Sequence, residues 1–190
     1  LLLKSTGVTV SLFVIIIVAS LPLGMLLTLT SRCKFKPVSW LSRAYIFVVR
    51  GTPLMLQLLF LYFGVPFIPI IGEYIAINDR FAAAAVAFSL NYAAYFAEIF
   101  RGGLLAVDKG QYEAAQVLGL NKFQTMIRIV FPQMIRVSLP SISNESVILI
   151  KDTALVYAIG VIDLLESAKS QVNTMANVTP YIVAAVIYLL

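Results

Sequence analysis

The chain alternates long apolar runs with short polar connections. Four runs have the length of membrane crossings, at about residues 7–29, 44–63, 81–105 and 133–150. A fifth starts near residue 181 and is cut at 190 by the end of the sequence. About twenty predominantly apolar residues span a hydrocarbon core, so this pattern predicts an all-α integral membrane protein with five transmembrane helices. The piece 154–165 has only about twelve residues, short of that length, and is expected to be a re-entrant or interface segment on the outer side. Lys4 before the first run suggests a secretory signal, but the run is too long for a signal core and further spans follow. The chain begins without methionine and stops inside an apolar run at Leu190, so residues are expected beyond both ends.

Composition supports this architecture. Hydrophobic residues make up 61% and charged residues 12%, with a mean hydropathy of +0.95, whereas soluble domains are about half apolar and a quarter charged. No hydrophilic block could fold separately, so residues 1–190 are expected to form one transmembrane domain. The single cysteine, Cys33, excludes an internal disulfide, and the chain has no histidine. No metal site or catalytic group is therefore expected. Nor does the net charge of +5 imply nucleic acid. Arg32, Lys34, Lys36 and Arg43 share one acid-free connection, and Arg101, Lys109, Lys122 and Arg128 outnumber Asp108 and Glu113 in another. Excess Lys and Arg mark cytoplasmic loops. Both connections are therefore read as cytoplasmic, with the N-terminus outside and the C-terminus inside. Residues 64–80, with two acids and one arginine ahead of the third run, suit the outer face.

The second cytoplasmic connection, residues 106–132, stands out. Gly110 opens it, residues 111–118 are good helix formers, and Gly119 stops them, as a glycine just past a helix end commonly does. A basic helical stretch follows, and Pro132 leads into the fourth run. A short helix held outside the bilayer between two spans is a handle that another protein can push.

Glu113-Ala114-Ala115, three residues, Gly119, nine residues and Ile129-Val130-Phe131-Pro132 resemble the EAA loop of permease subunits of binding-protein-dependent ATP-binding-cassette importers. That pattern usually ends I-x-L-P, and Phe131 departs from it with another apolar residue. The segments RGTPLMLQLLFLYFG (50–64), AYFAEIFRGG (94–103) and KDTAL (151–155) extend the similarity, and together they resemble the polar amino-acid branch of the family. The resemblance implies a coupling helix, carrying Gly110, Glu113, Ala114, Ala115, Gly119 and Pro132, that docks in a groove on an ATPase subunit. It also implies a dimerising core with a second, identical or homologous permease, an extracellular substrate-binding protein, a polar amino-acid substrate and the bacterial cytoplasmic membrane. No cofactor is expected on this chain, because ATP and magnesium belong to the partner ATPase. The absence of a GxxxxGK[ST] loop fits that division.

Polar residues within the spans are the other candidates. A charge at mid-bilayer costs about 2.5–3.5 kcal/mol on insertion scales, so such residues need partners or a wet cavity. Arg50 and Glu98 lie at matching depths, roughly 10 Å from the cytoplasmic ends of their helices at 1.5 Å per residue. Either Arg50 pairs with Glu98, or Glu98 pairs with Arg101, or Glu98 faces the translocation path. Asn91, Tyr95 and Glu98 share one helix face, which either packs or lines a polar path. Thr52-Pro53 predicts a kink in the second span. Asp163 and Glu166 either meet the cationic group of a passing substrate or form a solvated edge. Lys151-Asp152-Thr153 is a self-paired helix end or part of the packing around an outer gate. The competing reading is an autonomous channel or secondary transporter using an Arg50/Glu98 relay. The span count and the lack of visible inverted repeats disfavour it.

Overall fold

A computed structural model describes residues 2–189, without the Met175 side chain. Among these residues all regular structure is helical. Helix α1 is Leu2–Ser31. After it come α2 (Lys36–Gly51) and α3 (Leu54–Leu59), the latter running on through a π turn at Phe60–Gly64 and a 3-10 turn at Val65–Phe67. A short α4 (Gly72–Ile75) precedes the long α5 (Arg80–Ala106). The chain then forms α6 (Lys109–Val117), α7 (Lys122–Thr125) and α8 (Phe131–Asp152). A 3-10 turn at Thr153–Ile159 leads to α9 (Leu164–Met175) and α10 (Thr179–Leu189).

The core is α5 with α1 laid along it. Helix α1 inverts the pattern of a soluble helix: its buried stripe is Ser5, Thr9, Leu12, Ile16, Ser20, Gly24, Thr28 and Ser31. Val10, Val14, Val18, Leu26 and Leu29 face outward. In lipid the outward face can be wholly apolar, while small and hydroxylated residues let helices approach. Gly24 shows how close the approach is. A Cβ there would lie 2.8 Å from Phe96 Cβ and 3.0 Å from the Ala93 carbonyl oxygen. The Thr28 hydroxyl donates across the seam to the Ala97 carbonyl at 2.9 Å. Helix α5 answers with Ala83, Ala84, Ala87, Ala93, Ala94 and Ala97, all buried.

Helices α1 and α5 are each long and apolar enough to cross a membrane alone, and α2 with α3 meet that test only as a bent pair. The second span, expected over 44–63 with a kink at Thr52-Pro53, bends at that point and starts earlier. Helical structure starts at Lys36, and the axis turns by 109° at Thr52-Pro53. Thr52 is extended, with φ −119° and ψ 147°. The ring of Pro53 forbids a helical neighbour before it and removes the N–H that would have bridged the gap. The fourth span also differs. Helical backbone is continuous from Lys122 to Asp152, through a π turn at Met126–Val130. Pro132 sits in the first turn of α8, where its missing N–H costs least. The piece 154–165 is a short 3-10 turn ending on Gly160 at φ +78°, followed by extended chain into α9.

Candidate coupling helix and membrane cavity

Asp108 caps α6 by accepting the Gly110 N–H at 2.6 Å, so the helix starts at Lys109, before the run of helix formers expected from residue 111, and Gly110 lies in its first turn. The exit is a Schellman turn. Leu120 N–H donates to the Ala115 carbonyl at 3.0 Å and Gly119 N–H to the Gln116 carbonyl at 3.0 Å, with Gly119 at φ +72°. A side chain at that φ would strain the backbone, so the glycine is what allows the sharp exit. The next helix begins with a capping box between Asn121 and Gln124, which the sequence reading missed although N-x-x-Q is its signature.

The two alanines of the motif part company. Ala115 is fully buried, and the half-buried Tyr112 packs on the core cluster, whereas Glu113 and Ala114 are exposed. Gln133 Nε2 in α8 donates to Gln111 Oε1 at 2.9 Å and to the Ile129 carbonyl at 3.0 Å, strapping α6 to the base of α8. The outer surface of this segment is apolar, with Val117 89%, Leu118 74% and Phe123 74% exposed. Such a patch on an otherwise polar connection is suited to a protein partner.

A cavity of about 340 Å3 opens between α2, α5 and α8, bordered by Arg50, Tyr95, Glu98, Ser138, Ser141 and Glu145 among others. Glu98 is held by Arg101, through a 2.9 Å bond from Nε and a second from Nη2. The alternative pairing with Arg50 is not formed: the Arg50 guanidinium lies over the Tyr95 ring, 5.5 Å from its centroid. Asn91 lies off this cavity, donating to Gln57 Oε1 at 2.9 Å. Gln57 in turn donates to the Val49 and Thr52 carbonyls and the Thr52 hydroxyl, bridging the α2–α3 break. Three of these cavity residues, Ser138, Ser141 and Glu145, were not candidates in the sequence reading. Glu145 carried a signal, being an acid inside an apolar run. Ser138, buried with no partner for its hydroxyl, carried none.

Asp163 and Glu166 do not share a helix face. Asp163 precedes α9 as its N-cap, accepting from Glu166 N–H at 2.9 Å, Leu165 N–H at 3.2 Å and the Tyr188 hydroxyl at 3.1 Å. It is 1% exposed. Burial holds its carboxyl above the ordinary value, and the hydrogen bonds pull the other way. Its oxygens are turned to the helix cap and to Tyr188, not to a solvated edge. Glu166 instead pairs with Lys169 at 3.4 Å. Nor is Lys151-Asp152-Thr153 self-paired: Asp152 accepts the Tyr92 hydroxyl at 2.7 Å, Thr153 donates to the Ile150 carbonyl, and Lys151 is exposed.

Lipid-facing apolar helices around a tightly packed α5, with one capped polar helix outside them, define a multi-pass membrane protein. Residues 7–190 match the profile of the binding-protein-dependent transport system inner membrane component family, and the chain belongs to that family. It is similar to the arginine transport system permease protein ArtQ of Bacillus subtilis (strain 168), with 39% identity over 188 residues covering 98% of this chain and 84% of that protein. It is also similar to the putative glutamine transport system permease protein GlnP of Rickettsia conorii, with 38% identity over 186 residues covering 97% and 83%. The crystal structure of an amino acid ABC transporter with histidines superposes with a TM-score of 0.88 at 33% identity, covering 99% of this chain and 86% of that one.

Proposed function

We propose that this chain is one permease subunit of an ATP-driven importer of polar amino acids, forming half of the translocation path and coupled to an ATPase subunit through α6. The observation that carries the coupling is the exposed apolar group at the end of α6 and the start of α7, Val117, Leu118 and Phe123, beside the Gln111–Gln133 bond that straps α6 to α8. The relatives named for arginine and glutamine transport support the substrate class. Five spans, α1, α2 with α3, α5, α8 and α10, put α6 on the cytoplasmic side when the N-terminus is outside. A second permease subunit completes the wall of the path, and an extracellular binding protein delivers the amino acid.

The drive follows from the strap. ATP and magnesium bind the partner ATPase. Closure of the ATPase pair displaces α6, and the Gln111–Gln133 bond with buried Ala115 passes that displacement to the foot of α8. Helix α8 borders the Arg50 and Glu98 cavity, so its movement alters the path between inward and outward access. That is a rigid-body switch between two packings. Tyr95, Glu98 and Glu166 are the residues of this chain assigned to the path, with Asn91, Arg50, Thr52, Pro53, Arg101, Lys151, Asp152 and Thr153 as its frame.

Co-purification tests the coupling. The chain should bring down an ATPase from mild detergent, and Val117→Asp with Leu118→Asp should abolish that while leaving the melting temperature of the chain unchanged. A folded chain that never retains an ATPase would overturn this reading.

A further inference from the structure

The inner end of the bundle holds a second, larger cavity that coupling does not use. It measures about 660 Å3 and gathers Arg32, Arg43, Arg50 and Arg101 around a single carboxylate, Glu98. One wall is a face of α2, where Arg43, Ile46, Phe47 and Arg50 recur at helical spacing. Arg32 follows the end of α1, and Arg101 belongs to α5. The carboxylate is already bound at both oxygens by Arg101. Arg43 is steadied by its Nε, which donates to the Ser31 carbonyl at 3.0 Å, while its terminal nitrogens make no bond among the described residues. Arg32 and Arg50 form no ion pair among those residues either. Three guanidiniums, none of them in an ion pair among the described residues, thus converge on one cavity at the inner end of the spans, with Arg50 also within electrostatic reach of Glu98 and Glu145.

Guanidinium forks match phosphate oxygens in geometry and charge. Basic pockets between membrane helices on the cytoplasmic side suit phosphate head groups. The surroundings carry the same mark of the headgroup layer. Phe35, Trp40 and Phe47 are 65%, 72% and 80% exposed on or just before α2, and aromatic side chains gather at that depth. We infer that the Arg32, Arg43 and Arg50 cavity binds a phosphate group at the inner membrane surface. Its occupant is the headgroup of an anionic phospholipid or a free phosphate anion. The site rests on the proposed orientation, N-terminus outside, and shares Arg50 and Glu98 with the path cavity, but it does not depend on the ATPase contact of α6.

The test uses the full chain, purified with whatever subunits it brings down, in three nanodisc preparations. They are phosphatidylcholine alone, phosphatidylcholine with phosphatidylglycerol, and phosphatidylcholine with inorganic phosphate in the buffer. Melting temperature and lipid retained in native mass spectra are read for wild type, Arg32→Gln, Arg43→Gln and Lys34→Gln. Lys34 is on the same connection but outside the cavity lining. Phosphatidylglycerol should raise the melting temperature, and either arginine change should weaken its retention about tenfold, the scale of one hydrogen bond to a charged group. Should Arg43→Gln fail to assemble, Arg32→Gln carries the test, because Arg32 anchors no ion pair. A shift reproduced by inorganic phosphate alone, and lost in the arginine variants, supports the site with a free anion as occupant. No shift in either arm, or equal loss in Lys34→Gln, overturns it.

Discussion

Replacing Gln57 by leucine removes the clamp over the α2–α3 break while keeping the side chain close in size. The break frees backbone acceptors in a region with little water. Gln57 Nε2 shares its two protons among the Val49 carbonyl at 2.8 Å, the Thr52 carbonyl at 3.2 Å and the Thr52 hydroxyl at 2.7 Å. Its Oε1 accepts from Asn91 Nδ2 at 2.9 Å, and Asn91 is 2% exposed. Side-chain hydrogen bonds within membranes average about 0.6 kcal/mol and reach about 1.7 kcal/mol. Three effective bonds, with Asn91 left buried and unpaired, then amount to about 2–3 kcal/mol. For a chain of this size that is a fall of about 5–10 °C in melting temperature. The assay is thermal unfolding of the purified transporter in nanodiscs, with Asn91→Ala and the double variant beside it. The double variant should fall short of additivity by about 1 kcal/mol, as expected for residues in direct contact. A Gln57→Leu protein melting with wild type, or strict additivity, would refute the clamp.

Gly24→Leu should destabilise the chain by about 1–3 kcal/mol, the range for overpacking, because Phe96 Cβ and the Ala93 carbonyl leave no room. Its melting curve is the check, and Gly7→Leu, which meets nothing, is the control. Gln111→Ala or Gln133→Ala should leave ATPase retention intact but lower transport per ATP hydrolysed in proteoliposomes, since only the strap is cut. Asp163→Asn keeps an N-cap of similar quality and removes a buried charge. Because burial raises the folded pKa of Asp163, its contribution to stability is fully present below the ordinary carboxylate pKa. It is lost as pH rises through the raised folded value. The asparagine variant should therefore melt above wild type near neutral pH, and the advantage should shrink on acidification. A difference independent of pH would count against the buried acid.

The long apolar helices α1 and α5 could be read from hydropathy because lipid imposes a simple length requirement, and α6 could be read because a cap, helix formers and a glycine obey local rules. What failed was geometry set by distant partners. Pro53 announces that the helix cannot continue, yet the 109° turn depends on Gln57, Asn91 and the α5 surface. The pattern Asp163-x-x-Glu166 carried a capping signal, but taking 154–165 as a single re-entrant or interface segment hid where α9 begins. Arg50 and Glu98 do lie at one depth and border one cavity. Sequence spacing could not decide between Arg50 and Arg101 as the partner of Glu98. The i, i+3 geometry on α5 did.

Most polar side chains in an apolar chain are consumed by defects in its own backbone. Gln57, Asn91 and Thr52 serve the α2–α3 break. Asp163, with Tyr188, serves the start of α9, and Thr9 there accepts the Leu164 N–H. Tyr92 and Asp152 tie α5 to the end of α8. Arg50, Ser138 and Glu145 are left over, making no hydrogen bond among the described residues, and all three border the cavity between α2, α5 and α8. Of the three only Ser138 is buried, whereas Arg50 is exposed and Glu145 half-buried. A buried polar group without a protein partner costs about 1–3 kcal/mol, a cost that water or a polar solute relieves. In this chain the unspent groups, more than the paired ones, mark where a hydrophilic solute can pass. The variant pair Ser138→Ala and Glu145→Gln should therefore change transport more than it changes melting. The reverse order would assign both residues to packing.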